Sequence, residues 1–217
     1  MDPPNITPRE YSAFQEAFNF MNRQMFGGIL PSCLITLQRR KGTYGYFWHQ
    51  RFRHRADDIC TDEIALNPDA FPGQSDKDIL GTLGHEMVHL WQAHFGRRHS
   101  RGGYHNREWA EKMCGMGLIP SHTGKVGGKM TGQRMSHYIS ATGLFAEVID
   151  DLIRKGFRLN WESSLPTVVP GVLRTKKMRD RSKIKFSCQD CGLNAWAKER
   201  ARLDCGVCHS AMVVTDD

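Results

Sequence analysis

At 217 residues the chain can bury one real core and a small satellite module, and it is too short for several large domains. Its 40% hydrophobic content is ordinary for a globular protein, and no apolar run approaches a membrane span. A formal net charge of +7 with a pI near 9.1 suggests a polyanionic partner, a weak signal taken alone.

Met1-Asp2-Pro3-Pro4-Asn5 carries no basic-then-apolar leader. Residues 7–25 then read as a helix, with Thr7 as cap, Pro8 at the first helical position and Glu10 three residues after the cap. Tyr11, Phe14, Phe18, Met21 and Met25 recur at helical spacing, a stripe that belongs in a core, and Gly27-Gly28 stops it. Residues 34–37 and 43–52 read as strands joined by a turn at Lys41-Gly42, with Tyr44, Tyr46 and Trp48 on the core face. Residues 59–67 give a third strand, ended by Asn67-Pro68.

The next helix runs from a capping box, Ser75 with Asp78, to Gly96, followed by Arg97 and Arg98. Leu80, Leu83, Met87, Leu90 and His94 step by three and four along one buried face. Asp78, Thr82, His85 and His89 step the same way on the opposite face. Gly81 lies one turn before His85 and costs roughly 1 kcal/mol of helix propensity against alanine; it reads as clearance for a neighbouring strand or a substrate. Beyond this helix come a basic glycine-rich loop over 97–105 and a short helix capped by Asn106, with Trp109, Ala110, Met113 and Cys114 inward. Residues 121–137 should be mostly irregular, and Leu144, Phe145, Val148, Ile149 and Leu152 mark a last amphipathic helix, ended by Gly156.

The chemistry concentrates in Gly84-His85-Glu86-Met87-Val88-His89, which reads H-E-x-x-H. Two imidazoles four residues apart on a helix lie about one turn, roughly 6 Å, apart along its axis, the right reach for two ligands on one zinc ion. Glu86 flanks the same site and can take a proton from a metal-bound water. A catalytic zinc needs a third protein ligand and an open position. His94, His99, His105, Glu108 and Glu111 are the candidates, His94 being on the wrong side of its helix. Gln92 stands where the metzincin pattern requires glycine, which argues against that arrangement.

Near the end, Cys188-Gln189-Asp190-Cys191 and Cys205-Gly206-Val207-Cys208 are separated by thirteen residues. Two C-x-x-C pairs at this spacing signal a four-cysteine zinc ribbon, a closed and therefore structural site. His209 adjoins the last cysteine and is not expected to ligate. Cys33, Cys60 and Cys114 are scattered, so the set fits a reducing compartment and not a disulfide framework. Between the last helix and the ribbon runs a basic stretch: Arg174, Lys176, Lys177, Arg179, Arg181, Lys183 and Lys185. With Trp196 available for stacking, it is the expected nucleic-acid-binding surface.

The helix carrying Thr82-Leu83-Gly84-His85-Glu86-Met87-Val88-His89, the later Gly103-Tyr104-His105-Asn106-Arg107-Glu108-Trp109 and the two C-x-x-C pairs together make the chain resemble the SprT-like zinc metallopeptidase family. The likeness covers about residues 8–120 and the ribbon from 183. It implies that His105 is the third zinc ligand, since in that family this ligand is the histidine of a Gly-His-Gly-x-x-Phe-like segment. Tyr104, Asn106 and Arg107 depart from that segment. It also implies that Glu108 orients a ligand histidine, a solvated helix face being the alternative. A protein substrate bound or crosslinked to DNA is the further implication.

The expectation is therefore an α+β metallopeptidase domain over 1–158, with helices carrying the H-E-x-x-H zinc site on a small antiparallel sheet. A basic linker follows over 159–182 and a four-cysteine zinc ribbon over 183–217. Two Zn²⁺ are expected, a catalytic one on His85, His89 and His105 and a structural one on Cys188, Cys191, Cys205 and Cys208. Glu86 is the expected general base, with Tyr104, His137 and Tyr138 as candidates for a second electrophile. The expected partners are a protein substrate and DNA, with single strands favoured by stacking on Trp196, and no membrane. The expected location is cytoplasmic, at the nucleoid or in a eukaryotic nucleus. The rival reading is a nucleic-acid-binding or transcription-associated zinc protein without protease activity.

Overall fold

The computed structural model describes residues 5–98, 102–164 and 183–215. The chain divides into two compact units, 1–170 and 171–217. The expected linker falls largely outside the described residues. The first unit runs α1 (Ile6–Met25), β1 (Leu34–Leu37), β2 (Gly45–Arg53), β3 (Cys60–Leu66), α2 (Asp76–Phe95), β4 (Tyr104–His105), α3 (Arg107–Met116), β5 (Leu118–Ser121), β6 (Gly132–Gln133), β7 (Ser136–Ile139) and α4 (Leu144–Arg154). Among the described residues it is a mixed α+β unit of four α-helices and small sheets.

The main sheet has the order β1-β3-β2. The hairpin is β2 with β3, antiparallel, whereas β1 pairs parallel to β3 through Leu34 opposite Glu63 to Leu37 opposite Leu66. The expected antiparallel sheet is thus a mixed one. The turn at Lys41-Gly42 does not fold β2 back onto β1; it carries the chain over the end of β3 to the sheet's other edge. Asn67 at the end of β3 holds this crossover, its Nδ2 donating to Arg40 O and Thr43 O at 2.8 Å each. The face of β2 is also opposite to expectation. Phe47 packs on the core, while Trp48 is 49% exposed and carries the Arg51 guanidinium 4.6 Å from its ring centre.

α2 lies on this sheet and against α1, α3 and α4. Its N-terminus carries the expected capping box, Ser75 accepting from the Asp78 N–H while Asp78 accepts from the Ser75 N–H at 3.1 Å. Leu80, Leu83, Met87 and Leu90 are fully buried, and they meet Phe14, Phe18 and Met21 of α1, Met113 of α3 and Phe145 and Ile149 of α4 in one core. α1 begins one residue earlier than expected, at Ile6, without a side-chain cap. Tyr11 is exposed, and Glu10 is buried instead, neither carboxylate oxygen having a partner among the described residues. α3 does start at an Asn106 cap, but Cys114 is only half-buried and Cys60 is exposed. Residues 121–137 hold more order than their composition suggests. β6 pairs with β4, and β5 pairs with β7 from Leu118 opposite Ile139 to Ser121 opposite Ser136.

In the second unit β8 (Ile184–Ser187), β9 (Asn194–Ala197) and β10 (Val213–Val214) form an antiparallel sheet of order β10-β8-β9. Its core is small, Phe186 and Met212 packed with Cys188 and Cys205. No helix among the described residues is long and apolar enough to cross a membrane.

Candidate metal centres

His85 and His89 come from successive turns of α2, and His105 from β4, which the short pairing with β6 holds over that helix. One ligand-capable nitrogen from each of the three lies within 4.8 Å of the other two. His85 Nε2 and His105 Nε2 are 3.2 Å apart. Two nitrogens on one tetrahedral zinc, at roughly 2.0–2.1 Å each, would stand about 3.4 Å apart, so the set fits a single ion. Burial depresses all three histidines: His85 well below its ordinary value, His89 to about 3, and His105 less, its hydrogen bond to Gly132 O opposing the fall. Neutral imidazoles with free lone pairs are what a divalent metal requires.

The rings are held from behind. Trp109 of α3 lies under all three, its ring 4.8 Å from His85, 5.3 Å from His89 and 4.4 Å from His105, centre to centre. Phe47 of β2 stacks against His89 at 6.5 Å. His105 Nδ1 is 3.1 Å from Gly132 O, so it carries the proton and leaves Nε2 free to face His85. His85 Nδ1 is 3.4 Å from His137 Nδ1. His137 comes from β7, and a Cβ on Gly81 would stand 2.8 Å from its Nε2. Gly81 is therefore clearance for a neighbouring strand, one of the two readings its position allowed. Burial lowers the His137 pKa to about 4, Asp78 opposing the fall.

Glu86 is buried on the same helix, and burial pushes its carboxyl up to about 8. Gly45 of β2 makes room for it: a Cβ there would lie 3.3 Å from Glu86 Oε1 and 2.8 Å from Ala65 O. A carboxyl poised near neutrality beside three neutral imidazoles can accept and return a proton at working pH.

The other third-ligand candidates lie elsewhere. Glu111 pairs with Arg107 at 2.7 Å on the surface. Glu108 neither orients a ligand histidine nor stands free. Burial pushes its carboxyl up, but its Oε1 accepts from the Arg97 N–H at 2.8 Å and its Oε2 from the Arg98 N–H at 3.1 Å, and these bonds with the one from Gln92 and the Arg97 charge together hold it below its ordinary value. Buried Gln92 donates to Asn106 Oδ1 at 2.8 Å, and Asn106 Nδ2 donates to Arg98 O at 3.0 Å. This network of Gln92, Asn106 and Glu108 anchors the loop on both sides of its undescribed tip and so sets the height of His105. His99 lies outside the described residues. His94 is exposed, not core-facing, and lies 2.6 Å from Asp62 Oδ2. Tyr104 is 43% exposed and Tyr138 pairs with Ile119 across β5 and β7.

Cys188, Cys191, Cys205 and Cys208 form a second group that could hold a metal, their sulfurs all within 4.8 Å of one another. Cys191 Sγ and Cys205 Sγ are 3.6 Å apart, close to the roughly 3.8 Å that two thiolates at about 2.3 Å from a tetrahedral zinc would show. The two turns repeat one hydrogen-bond pattern. Cys188 N donates to Leu193 O and Gly192 N to Cys188 O; likewise Cys205 N donates to Ser210 O and His209 N to Cys205 O. The fifth residue of each turn is left-handed, Gly192 at φ 73° and His209 at φ 56°. Backbone hydrogen bonds from Cys208 and Val207 lower the Cys205 thiol to about 7, ready to ligate as thiolate.

Of the expected nucleic-acid contacts, Arg174, Lys176, Lys177, Arg179 and Arg181 lie outside the described residues. Lys183 is exposed, and Lys185 stands opposite the 58% exposed Trp196 across β8 and β9.

Comparison with known proteins adds two findings. A model of the SprT-like family matches residues 14–123, just over half of the chain. An uncharacterized protein encoded in the mucB 3' region of Salmonella typhimurium is 48% identical over 58 residues, 27% of this chain and 78% of that protein.

Proposed function

The chain belongs to the SprT-like family, and from that premise we propose that it is a zinc-dependent endopeptidase acting on proteins bound or crosslinked to DNA. The observation that carries the peptidase reading is the convergence of His85, His89 and His105 beside the buried Glu86. Zinc held by those three histidines would supply Lewis acidity, lowering the pKa of a coordinated water and polarising a peptide carbonyl. Glu86 takes the proton from the attacking water and returns it to the leaving amine. Burial raises its pKa in the metal-free site, and the charge of a bound divalent ion would draw it back down, leaving the carboxylate available as base. His105 is aimed by the Gly132 carbonyl, and His85 is braced by His137, so neither ring needs to reorganise when the ion binds. Trp109 closes the inner side of the site to water. A metal domain without catalysis would have no use for a buried, uptitrated carboxyl in this position.

The four-cysteine unit is read as a zinc ribbon whose metal is structural, because four sulfurs leave no position for a substrate. The DNA reading is supported by the net charge of +7 and by Lys185 paired with an exposed Trp196. The test uses the zinc-loaded full chain on one substrate protein, free, crosslinked to single-stranded DNA and crosslinked to duplex. Cleavage should be fastest on the crosslinked forms, and Glu86→Gln should lower it by about a hundred- to ten-thousandfold. Equal rates for parent and Glu86→Gln would end the peptidase reading. Equal rates on free and crosslinked substrate would end the DNA reading and leave the peptidase.

A further inference from the structure

A third group of ligating side chains lies on the same helix–sheet interface, away from the H-E-x-x-H histidines. His94 follows His89 by five residues, about 7.5 Å along α2 and about 140° around it. There it meets His49 of β2 and Asp62 of β3. His94 Nε2 is 2.6 Å from Asp62 Oδ2, His49 Nδ1 is 2.8 Å from Asp62 Oδ1, and the two rings meet edge to face at 5.3 Å. One ligand atom from each lies within 4.8 Å of the others. We propose that His49, Asp62 and His94 form an additional binding site for a divalent first-row transition ion, separate from the histidine site on His85, His89 and His105 and from the four cysteines.

The backbone is deformed to build this cluster. The register of β2 against β3 shifts between Trp48 and Phe52. Within that bulge Gln50 adopts φ 49°, a left-handed conformation that a residue with a side chain rarely takes. The deformation turns the Gln50 N–H onto Asp62 Oδ1 at 2.7 Å. Bulges and strained residues of this kind gather where a side chain must be re-aimed. Here the backbone N–H fixes the carboxylate, as an outer hydrogen bond fixes a metal-ligating carboxylate elsewhere. Burial pushes the Asp62 carboxyl up, but the hydrogen bonds from Gln50 and His94 and the charge of the two histidines together hold it below its ordinary value. The anion is thus present throughout the neutral range.

Two imidazoles and one carboxylate are the donor set of open transition-metal sites, with the remaining positions left to water. The exposure fits: the Asp62 side chain is 4% exposed, while His94 and His49 are 32% and 47% exposed, so the cluster has a buried base and an open rim. In the hydrogen-bonded state each histidine turns an N–H towards Asp62. To ligate, each ring gives up the proton it turns to Asp62, to water or by tautomer exchange to its other nitrogen, and the freed lone pair faces the ion. The ring nitrogens and the carboxylate oxygens then separate from 2.6–2.8 Å to roughly 3.4 Å. The exposed rings can make that movement without disturbing the core. An ion there would tie the end of α2 to the bulge of β2, on the strand whose Phe47 stacks on His89.

The test is a difference measurement, so it does not depend on how fully the other two clusters are loaded. The full chain, His49→Gln and His94→Gln are equilibrated with Zn²⁺ at the same buffered free concentration, and bound zinc per chain is measured. Glutamine keeps a hydrogen-bond donor for Asp62, so the carboxylate is not left buried alone, and His49 lies on an exposed strand where the change is least able to unfold the chain. Each variant should bind one zinc fewer than the parent, and the double variant should also bind one fewer. With Co²⁺ in place of zinc, the lost ion should take visible d–d absorption with it and leave the sulfur-to-cobalt charge-transfer band unchanged. The same zinc count in parent and both variants would overturn the proposal and leave a metal-free His–Asp–His clamp; loss of the sulfur-to-cobalt band would overturn it equally.

Discussion

Gly81→Ala tests how the candidate site is supported. A Cβ at this position would stand 2.8 Å from His137 Nε2, well inside ordinary contact. The opposing ring cannot swing freely, because β7 pairs with β5 on one side of it and His85 lies against Nδ1 on the other. Overpacking of this kind costs about 1–3 kcal/mol. Alanine recovers roughly 1 kcal/mol of helix propensity, so the net destabilisation should be about 0–2 kcal/mol. Propensity alone would predict the opposite sign. The ring must move away from α2, which loosens its hold on His85, and loss of such an outer partner weakens metal binding by about 10–100-fold. Denaturant unfolding and zinc competition on parent, Gly81→Ala, His137→Ala and the double variant give the full cycle. In the His137→Ala background the clash is gone, and Gly81→Ala should stabilise by about 1 kcal/mol. If Gly81→Ala instead stabilises the parent and leaves its zinc affinity unchanged, His137 does not brace His85 and the account of this glycine is wrong.

Three further outcomes follow from the site and the ribbon. His105→Ala should lose zinc from the histidine site alone and Cys188→Ser from the cysteine site alone, read as metal per chain; full zinc occupancy in His105→Ala would mean that another group completes the histidine set. In the metal-free chain the Glu86 contribution to stability should fall as pH rises, because Glu86 keeps its proton in the folded state to about pH 8 while the unfolded carboxyl ionises near 4.5; the depressed histidines act in the opposite sense up to about 6.5, so the effect is read as the difference between parent and Glu86→Gln. The Glu86 contribution is complete below about 4.5 and gone above about 8, so the melting temperature of the parent relative to Glu86→Gln should fall across this window, and a difference that does not change with pH would contradict the raised value. Gly192→Ala and His209→Gly should move the ribbon's metal-dependent melt in opposite directions: a left-handed residue costs about 1–2 kcal/mol for a side chain and glycine loses about 0.5–1 kcal/mol of entropy, so the first should destabilise and the second should stabilise slightly.

The helices were legible because their signals are local. The Ser75 and Asp78 capping box, the buried series Leu80, Leu83, Met87 and Leu90, and the Asn106 cap of α3 each depend on residues within one or two turns, and each stands in the structure. The sheet was less legible because its order is not local. Nothing between Leu37 and Gly45 states that the chain crosses β3 instead of turning back; the clue is Asn67, whose side chain reaches Arg40 and Thr43 across more than twenty residues of sequence. Alternation in β2 could be read either way, since Tyr46 and Trp48 are as apolar as Gly45 and Phe47 together. The deciding contacts, Gly45 against Glu86 and Phe47 against His89, lie on a different element.

The same division runs through the candidate site. His85, Glu86 and His89 lie on one helix face and could be read from their spacing. What holds them could not, because Gly132, His137 and Trp109 reach the histidines from three separate elements. Residues 121–137 looked featureless for the same reason: β6 and β7 are two and four residues long, too short to show a period, and their order comes from partners in β4 and β5. The one local trace of His137 was the helix-breaking glycine that accommodates it. A glycine inside an otherwise good helix is a cost that only a neighbour can explain, and Gly81 explained in this way points to β7 from fifty-six residues away. Glu108 shows the converse. Its place after His105 suggested a partner for a ligand ring, but its carboxylate is taken by the Arg97 and Arg98 amides, so it acts on the site only by fixing the loop that delivers His105.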